Sequence, residues 1–179
     1  MGFDVHGLNP KVNKSVTKFP IYNKYKDMDW VDKQKAFDKD KNLSKKYWEE
    51  YEEFQEVNTG VYFRNNVWWW RPLWAFICDN CDHILTKEQM QGGNTNDGVI
   101  IEHDQAEEIH NVIVNVIGKK QIIKMDAEYT EMRKEAEEKN KGKKSTDEDY
   151  IWSANYPFDA DNVMAFAEFC KQSGGFEIW

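Results

Sequence analysis

The sequence lacks long apolar runs, and it contains little leucine, arginine or cysteine. No run of about 18 apolar residues occurs, so we expect no membrane-spanning helix. The first residues show no basic segment followed by an apolar one, so we expect no signal peptide. The 3 cysteines are too few and too irregularly spaced for a disulfide framework, which favours a reducing compartment.

The charge balance is acidic, with a formal net charge of −8 over 179 residues. General duplex binding requires a basic face, so we do not expect general nucleic-acid binding. The charge is also segregated, because residues 11–46 contain 11 Lys and 5 Asp whereas residues 47–60 contain 5 Glu and no base. We interpret residues 11–46 as a basic, variable arm or insertion on one domain that spans residues 1–179.

Aromatic side chains are abundant, at 8 Trp, 8 Tyr and 10 Phe against 4 Leu. Each large ring buries enough apolar area to compensate for the scarce leucine, so we expect an aromatic core. The pattern predicts an α-rich α+β fold with about five helices and short strands. The strand candidate over residues 3–5 is expected to pair with the one over residues 176–179, which would bring the two ends of the chain together.

Cap and stop residues delimit the predicted helices. Ser44, preceded by Leu43, predicts one helix start, and Asp104 with Glu107 predicts another. Residues 119–139 are expected to form a further helix, and residues 140–149 a charged loop. The remaining signals are a stop at residues 58–60, a stop at Gly118, and a last helix from Asp159 or Asp161 to residues 174–175. A central helix is expected with Asn65 or Asn66 near its cap. Pro72 must then either kink this helix or lie in its first turn, in which case the helix starts at Pro72 after an extended stretch over residues 61–70.

The most unusual segment is RNNVWWWRPLW at residues 64–74, with four Trp among residues 68–74. Neither a helix nor a strand directs three successive indoles to one face, so at least one should line a second surface. The guanidinium group of arginine forms paired hydrogen bonds with phosphate or carboxylate, and aromatic rings stack on nucleobases. The alternative is an aromatic core in which the arginines pack as cation–π partners. The candidate ligand-binding residues are Arg64, Asn65, Asn66, Trp68, Trp70, Arg71 and Trp74.

The turn GGNTNDG at residues 92–98 adds Asn96, Asp97 and Gly98 to the candidates. Backbone N–H groups in such a turn can form a nest for an anion. The spacing matches neither a Walker loop nor a dinucleotide fingerprint. A plain turn is the favoured interpretation.

Cys78, Cys81 and His83 have a spacing that suggests a zinc site. A structural site needs four ligands, and the remaining candidates, His103, His110 and Cys170, lack the paired spacing of a second knuckle. One helical turn between two cysteines is also core spacing, so we favour buried thiols. We therefore predict no metal and no cofactor.

Three blocks resemble a family of small tailed-bacteriophage proteins of unknown function. They are YFRNNVWWWRPLW at residues 62–74, the NDG turn at residues 96–98, and SGGFEI at residues 173–178, together with the opening MGFDV. The resemblance implies a phage origin and the cytoplasm of the host cell. It implies no activity and no catalytic residue.

Three functions from different classes are compatible with these observations. The first is a protein that binds a small nucleotide-like anion without turnover and thereby sequesters a host defence signal. The second is a protein–protein inhibitor or host-takeover factor that uses an exposed aromatic surface. The third is a metal-dependent hydrolase that uses His103 and Asp104. We favour the first, with a small molecule rather than a host protein as partner, and the sequence leaves the oligomeric state open.

Overall fold

The computed structural model describes residues 2–12 and 18–179. Over these residues the chain forms eight α-helices and one four-stranded antiparallel sheet, so the α+β class is confirmed. No helix among the described residues is long and apolar enough to cross a membrane. The elements are β1 Gly2–Gly7, α1 Pro20–Tyr25, α2 Trp30–Lys39, α3 Lys41–Val57, β2 Tyr62–Asn66, α4 Val67–Asn80, α5 Lys87–Gly92, β3 Val99–Ile101, α6 His103–Asn111, a π-helical turn Val112–Ile117, α7 Lys119–Lys139, a 3₁₀ turn Trp152–Asn155, α8 Ala160–Ser173 and β4 Phe176–Ile178.

The sheet brings the two ends of the chain together, as the sequence predicts. Its strand order is β2-β1-β4-β3, and Val5 of β1 lies opposite Ile178 of β4. Alternate residues of β1 point to opposite faces of the sheet. Phe3 and Val5 are therefore buried under the helices, whereas His6 is exposed.

The predicted aromatic core is confirmed. Helices α4 and α8 pack on the inner face of the sheet, with Trp70 stacked on Phe3 at 5.3 Å between ring centroids. Phe166 of α8 contacts both Trp70 and Phe176 edge-on. These rings fill the space that leucine fills in most domains, and they fix α4 against the sheet.

The basic arm contains regular structure that its charge pattern did not predict. Residues 18–46 form α1, α2 and the first turns of α3, whereas residues 13–17 lie outside the described part of the chain. Tyr25, Phe37 and Tyr47 form a second, smaller buried cluster between these helices. Glu50 of α3 accepts hydrogen bonds from two N–H groups at the start of α1, both at 2.8 Å. Helices α1 and α2, together with α5, raise the helix count above the expected five.

Two helices begin earlier than predicted. Helix α3 is capped by Asp40, not by Ser44, because the Asp40 carboxylate accepts from the N–H groups of the first turn at 3.0 and 3.1 Å. Helix α6 begins at His103, not after Asp104, because the Gln105 side chain is fixed by bonds to the Glu102 N–H and the Ile84 carbonyl. A local cap decides the first boundary, and a side chain held by a tertiary hydrogen bond decides the second.

The central helix also begins before its proline. The Asn66 side chain accepts from the N–H groups of Trp68 and Trp69 at 3.0 and 3.2 Å, so α4 starts at Val67, which confirms the expected cap at Asn66 rather than the alternative start at Pro72. Pro72 then lies inside the helix and cannot donate the usual backbone hydrogen bond. Burial of the neighbouring Leu73 and of the proline ring itself offsets this loss.

The C-terminal half follows the predictions closely. A π-helical turn extends α6 to Gly118, whose φ of 79° ends the helix. Helix α7 covers residues 119–139, and residues 140–149 form the predicted loop. Asp159 caps α8 through the Asn162 N–H at 2.6 Å, and the left-handed Gly174 ends it.

Candidate functional site

The principal candidate site is a cleft between α4 and α7 that the 3₁₀ turn closes on one side. Its outer chamber has a volume of about 550 Å³ and joins a more enclosed inner chamber of about 290 Å³. Pro72, Ala75 and Tyr129 line both chambers, so the two lie side by side along α4. We call this space the α4–α7 cleft. The outer chamber is further lined by Arg71, Trp152, Ser153 and Tyr156, and the inner chamber by Phe76, Asp79, Asn80, Met125 and Phe158.

Arg71 supplies positive charge to the outer chamber. Its Nη1 donates to the Tyr156 hydroxyl at 3.3 Å, and its guanidinium carbon lies 5.9 Å from the centre of that ring. Trp68, one helical turn earlier, packs on the same ring at 5.1 Å. No carboxylate pairs with Arg71 anywhere in residues 2–12 and 18–179. Its guanidinium can therefore accept an anion without first breaking an ion pair.

The segment after α7 contributes the aromatic wall opposite α4. Asn140 pins it, because the Asn140 side chain exchanges two hydrogen bonds of 2.9 Å with the backbone of Ile151. The next residue, Trp152, is 49% exposed at the rim of the cleft. Residues 150–158 are not among the site residues predicted from the sequence. The four aromatic residues of YIWSANYPF are the signal that could have identified this wall.

The inner chamber has apolar walls and a polar end. Phe158 packs edge-on against Phe76 at 5.4 Å and in a tilted arrangement against Tyr129 at 5.7 Å. Asp79 and Asn80, at the end of α4, supply the only charged and amide groups among the lining residues of this chamber. The chamber therefore suits a flat apolar ring with a polar edge.

Two of the predicted stacking residues belong to the core instead. Trp70 and Trp74 are both 0% exposed and stack on each other at 5.5 Å. Their indole N–H groups donate to the carbonyls of Gly93 and Met90 at 2.6 and 3.0 Å. A buried indole needs such an acceptor, and it cannot also stack on a ligand. The prediction that Trp70 or Trp74 stacks a base is therefore corrected, and of the three proposed indoles only Trp68 is accessible.

The predicted polar residues before the Trp block lie in a shallow depression on the sheet side of Trp69. Arg64 Nε lies 3.4 Å from an Asp4 carboxylate oxygen, and Asn65 donates to the Asn162 side chain at 3.1 Å. Asn66 is the cap of α4. Each of these side chains has a structural partner, and none lines the α4–α7 cleft.

The predicted turn residues lie at the edge of the sheet, away from the cleft. The Asn96 amide donates to the Gly2 carbonyl at 2.8 Å, and the Gly98 N–H donates to the Ile178 carbonyl at 3.0 Å. Gly98 has a φ of 77°, a conformation that glycine adopts without strain. These contacts favour the plain turn over an anion nest, and no described contact of Asn96, Asp97 or Gly98 joins them to Arg71.

The cysteines and histidines do not assemble into a metal site. Cys81 and Cys170 are buried and Cys78 is half-buried, and burial raises the pKa of the Cys78 thiol to about 11 and that of Cys81 to about 12. In the described part of the chain, no three His, Cys, Asp or Glu side chains are placed to hold one metal ion together. His83 is exposed beside Asp82, and His103 lies 3.7 Å from Glu107. Neither the zinc interpretation nor a hydrolase centred on His103 and Asp104 gains support from this geometry.

No protein-family model, curated protein or solved structure matches this chain.

Proposed function

We propose that the protein binds a small nucleotide-like anion in the α4–α7 cleft without converting it chemically. The observation that carries this proposal is the environment of Arg71. The guanidinium has no carboxylate partner among the described residues, and it borders a cavity of about 550 Å³ beside Tyr156 and Trp152. A cation beside aromatic faces is the combination that recognises a phosphate attached to a base.

The energies of such contacts are sufficient for useful affinity. Stacking of one base on an aromatic side chain contributes about 1–3 kcal/mol. A charge-assisted hydrogen bond from Arg71 to a phosphate contributes about 1.5–3 kcal/mol more. The rings are held by packing on α4 and by the Asn140 hydrogen bonds, so little ordering entropy is lost on binding.

The types of residue in the cleft support binding rather than turnover. The residues that line its two chambers include arginine, tyrosine, tryptophan and one serine, but no histidine and no cysteine. Ser153 is the single aliphatic hydroxyl among them, and no lining histidine is available to activate it as a nucleophile. We therefore assign the cleft a sequestering role.

The biological setting belongs to the same proposal. The resemblance to tailed-phage proteins suggests a phage-encoded accessory protein that acts in the host cytoplasm. A ligand that carries a base and a phosphate would then be a nucleotide signal of the host defence, removed from circulation by tight binding.

The test is a titration of the purified protein with a nucleotide panel, followed by Trp fluorescence because Trp152 lines the cleft and Trp68 packs on Tyr156. The panel contains cyclic mononucleotides, cyclic dinucleotides, nucleoside diphosphates and ADP-ribose. We expect at least one member to bind, and Arg71→Ala to weaken that binding by more than about tenfold, since it removes the charged contact. Because Arg71 is exposed, the melting temperature should change little.

Arg64→Ala is the matched control, since it removes an exposed arginine of the same block that lies outside the cleft. A panel in which no member binds would overturn the proposal. Equal losses in the Arg64→Ala and Arg71→Ala variants would also overturn it, because the effect would then be one of net charge.

A second candidate function is binding of a host protein through the arm. Trp30 and Val31 at the start of α2 are 57% and 58% exposed, and Met28 before them is also exposed. Tryptophan and its apolar neighbours are typical anchors of protein interfaces. The test is a pull-down from host lysate with the wild-type protein and with Trp30→Ala. Failure of the wild-type protein to recover a stoichiometric partner would count against this function.

A further inference from the structure

One face of α4 runs the length of the cleft and carries opposite charges at its two ends. Pro72, Ala75, Phe76 and Asp79 recur at the spacing that places side chains on one side of a helix. Arg71 borders the outer chamber and Asp79 the inner one. Their separation of eight positions corresponds to roughly 12 Å along the helix axis. The cleft therefore offers a cation at one end, a carboxylate at the other, and apolar walls between.

The inner end of the cleft presents hydrogen-bond acceptors. Within residues 2–12 and 18–179, the Asp79 carboxylate takes part in no hydrogen bond and no ion pair. The neighbouring Asn80 side chain uses its amide nitrogen to donate to the Phe76 carbonyl at 2.8 Å, which leaves its oxygen to accept. An ionised carboxylate can accept hydrogen bonds but has no proton to donate. This end therefore selects a ligand edge that carries N–H donors.

The walls of the inner chamber select a flat ring. The Phe158 ring contacts the rings of Phe76 and Tyr129, and Met125 completes the apolar lining. A nucleobase stacks on such surfaces whatever its identity. Discrimination between bases then depends on the hydrogen bonds that each edge can make at Asp79.

We propose, on the basis of the function proposed above, that the cleft selects guanine nucleotides. The phosphate lies at Arg71, the base packs against the aromatic wall that Tyr129 and Phe158 form, and the guanine N1–H and 2-amino group both donate to the Asp79 carboxylate. Adenine presents one amino group beside a ring nitrogen that is itself an acceptor, so it would face the carboxylate with one repulsive contact. Base edges are read in this way wherever a protein meets an unpaired base.

The test is isothermal titration calorimetry of the full chain with GDP, IDP and ADP. IDP is the matched probe, because inosine keeps the N1–H of guanine but lacks the 2-amino group. We expect GDP to bind about tenfold more tightly than IDP, since one charge-assisted hydrogen bond is lost, and ADP to bind most weakly. Asp79→Asn should weaken GDP binding by about tenfold and reduce the difference between GDP and IDP.

Asp82→Asn is the control variant. It removes one negative charge three residues further along, from an exposed side chain that lines neither chamber, and it should leave all three affinities unchanged. A ratio of GDP to IDP affinity that Asp79→Asn does not alter would overturn the guanine assignment.

The guanine assignment and the proposed function fail in different ways. If GDP, IDP and ADP bind equally and Arg71→Ala weakens all three, the guanine assignment is overturned while binding in the cleft stands. If none of the three binds but a member of the panel without guanine does, the guanine assignment again fails alone. If no nucleotide binds at all, both proposals fall.

Discussion

The two hydrophobic clusters of this protein differ in size, in composition and in the way they satisfy polar groups. The main cluster under the sheet contains Trp70 and Trp74, fully buried, with each indole N–H bonded to a backbone carbonyl. The arm cluster consists of Tyr25, Phe37 and Tyr47, and it encloses a lysine. This difference indicates that the cluster under the sheet contributes most of the free energy of unfolding, and that the arm is less stable and can unfold on its own.

The buried lysine illustrates the difference. Lys33 is 8% exposed, and its Nζ donates to the Tyr47 hydroxyl at 3.2 Å and to the Lys26 carbonyl at 3.3 Å. Burial of a charge is costly even when it is hydrogen-bonded, so part of the gain from packing the arm is offset. The main cluster encloses no comparable charge among its buried residues.

The main cluster is also closely packed around α4. Trp74 lies directly on Gly93, where a Cβ atom would come within 2.1 Å of the indole. The first residues of the predicted turn thus serve the core: Gly92 ends α5, and Gly93 makes room for a tryptophan. The α4–α7 cleft is built on the outer side of this well-packed helix, which keeps Arg71 and Asp79 at a fixed separation.

The largest expected effect comes from removing a central indole. Trp70→Ala should lower the free energy of unfolding by about 3–5 kcal/mol, because it deletes a fully buried ring and leaves the Gly93 carbonyl without its donor. The measurement is urea unfolding followed by far-UV circular dichroism. Trp30→Ala, at a 57% exposed indole of the arm, is the control and should change stability by less than about 0.5 kcal/mol. Similar losses in both variants would contradict the difference between the two regions.

A smaller and more local effect is expected in the arm. Phe37→Ala removes one of the three buried rings of that cluster, and the loss it can cause is limited to the stability of the arm itself. We expect about 1–2 kcal/mol, read as faster amide hydrogen exchange in α1 and α2 with unchanged protection in β1 and β4. Uniform loss of protection across the sheet would show that the two clusters unfold as one unit.

The smallest effect concerns alkaline pH. Burial, followed by the nearby Tyr47, Tyr51 and Asp27, raises the pKa of Tyr22 to about 12 from its ordinary value of 10.0. The pKa of Tyr22 is higher in the folded protein than in the unfolded chain. The stability that protonated Tyr22 contributes is therefore complete below pH 10 and is lost as the pH rises toward 12. We therefore expect the arm to open in this range before the sheet region does.

The measurement is hydrogen exchange of α1 together with phenolate absorbance across that range. Tyr22→Phe should keep the ring packing and reduce the alkaline loss of protection. Burial also raises the pKa of Tyr51, so part of the loss should persist in the variant. An unchanged alkaline profile in Tyr22→Phe would show that Tyr22 does not contribute to it.

Much of the fold could be predicted from local sequence. The pairing of the chain ends, the aromatic core, helix α7 and the cap of α8 at Asp159 all follow from alternation, helical spacing and capping residues. The starts of α3 and α6 were misplaced, whereas the cap of α4 at Asn66 was among the expected positions. In α3 and α6 the signals lay earlier in the chain, at Asp40 and Glu102, and in α6 a tertiary hydrogen bond from Gln105 to the Ile84 carbonyl fixes the capping side chain.

The candidate site was only partly predictable. Arg71 and Trp68 could be selected because arginine and exposed indoles suit anionic ring ligands. Tyr129, Trp152 and Tyr156 could not be connected with them, because they lie more than fifty residues away in the chain. Local periodicity carries no information about which distant elements meet.

The sequence by itself determined that the core is aromatic, that the two ends of the chain pair, and that one block concentrates tryptophan and arginine. Only the tertiary structure decided which indoles remain accessible. Four tryptophans share one short segment, but the sheet and α8 cover one side of α4, whereas α7 and the 3₁₀ turn leave a cleft on the other. Burial depends on what packs against each face of a helix, and the helix does not encode that choice alone.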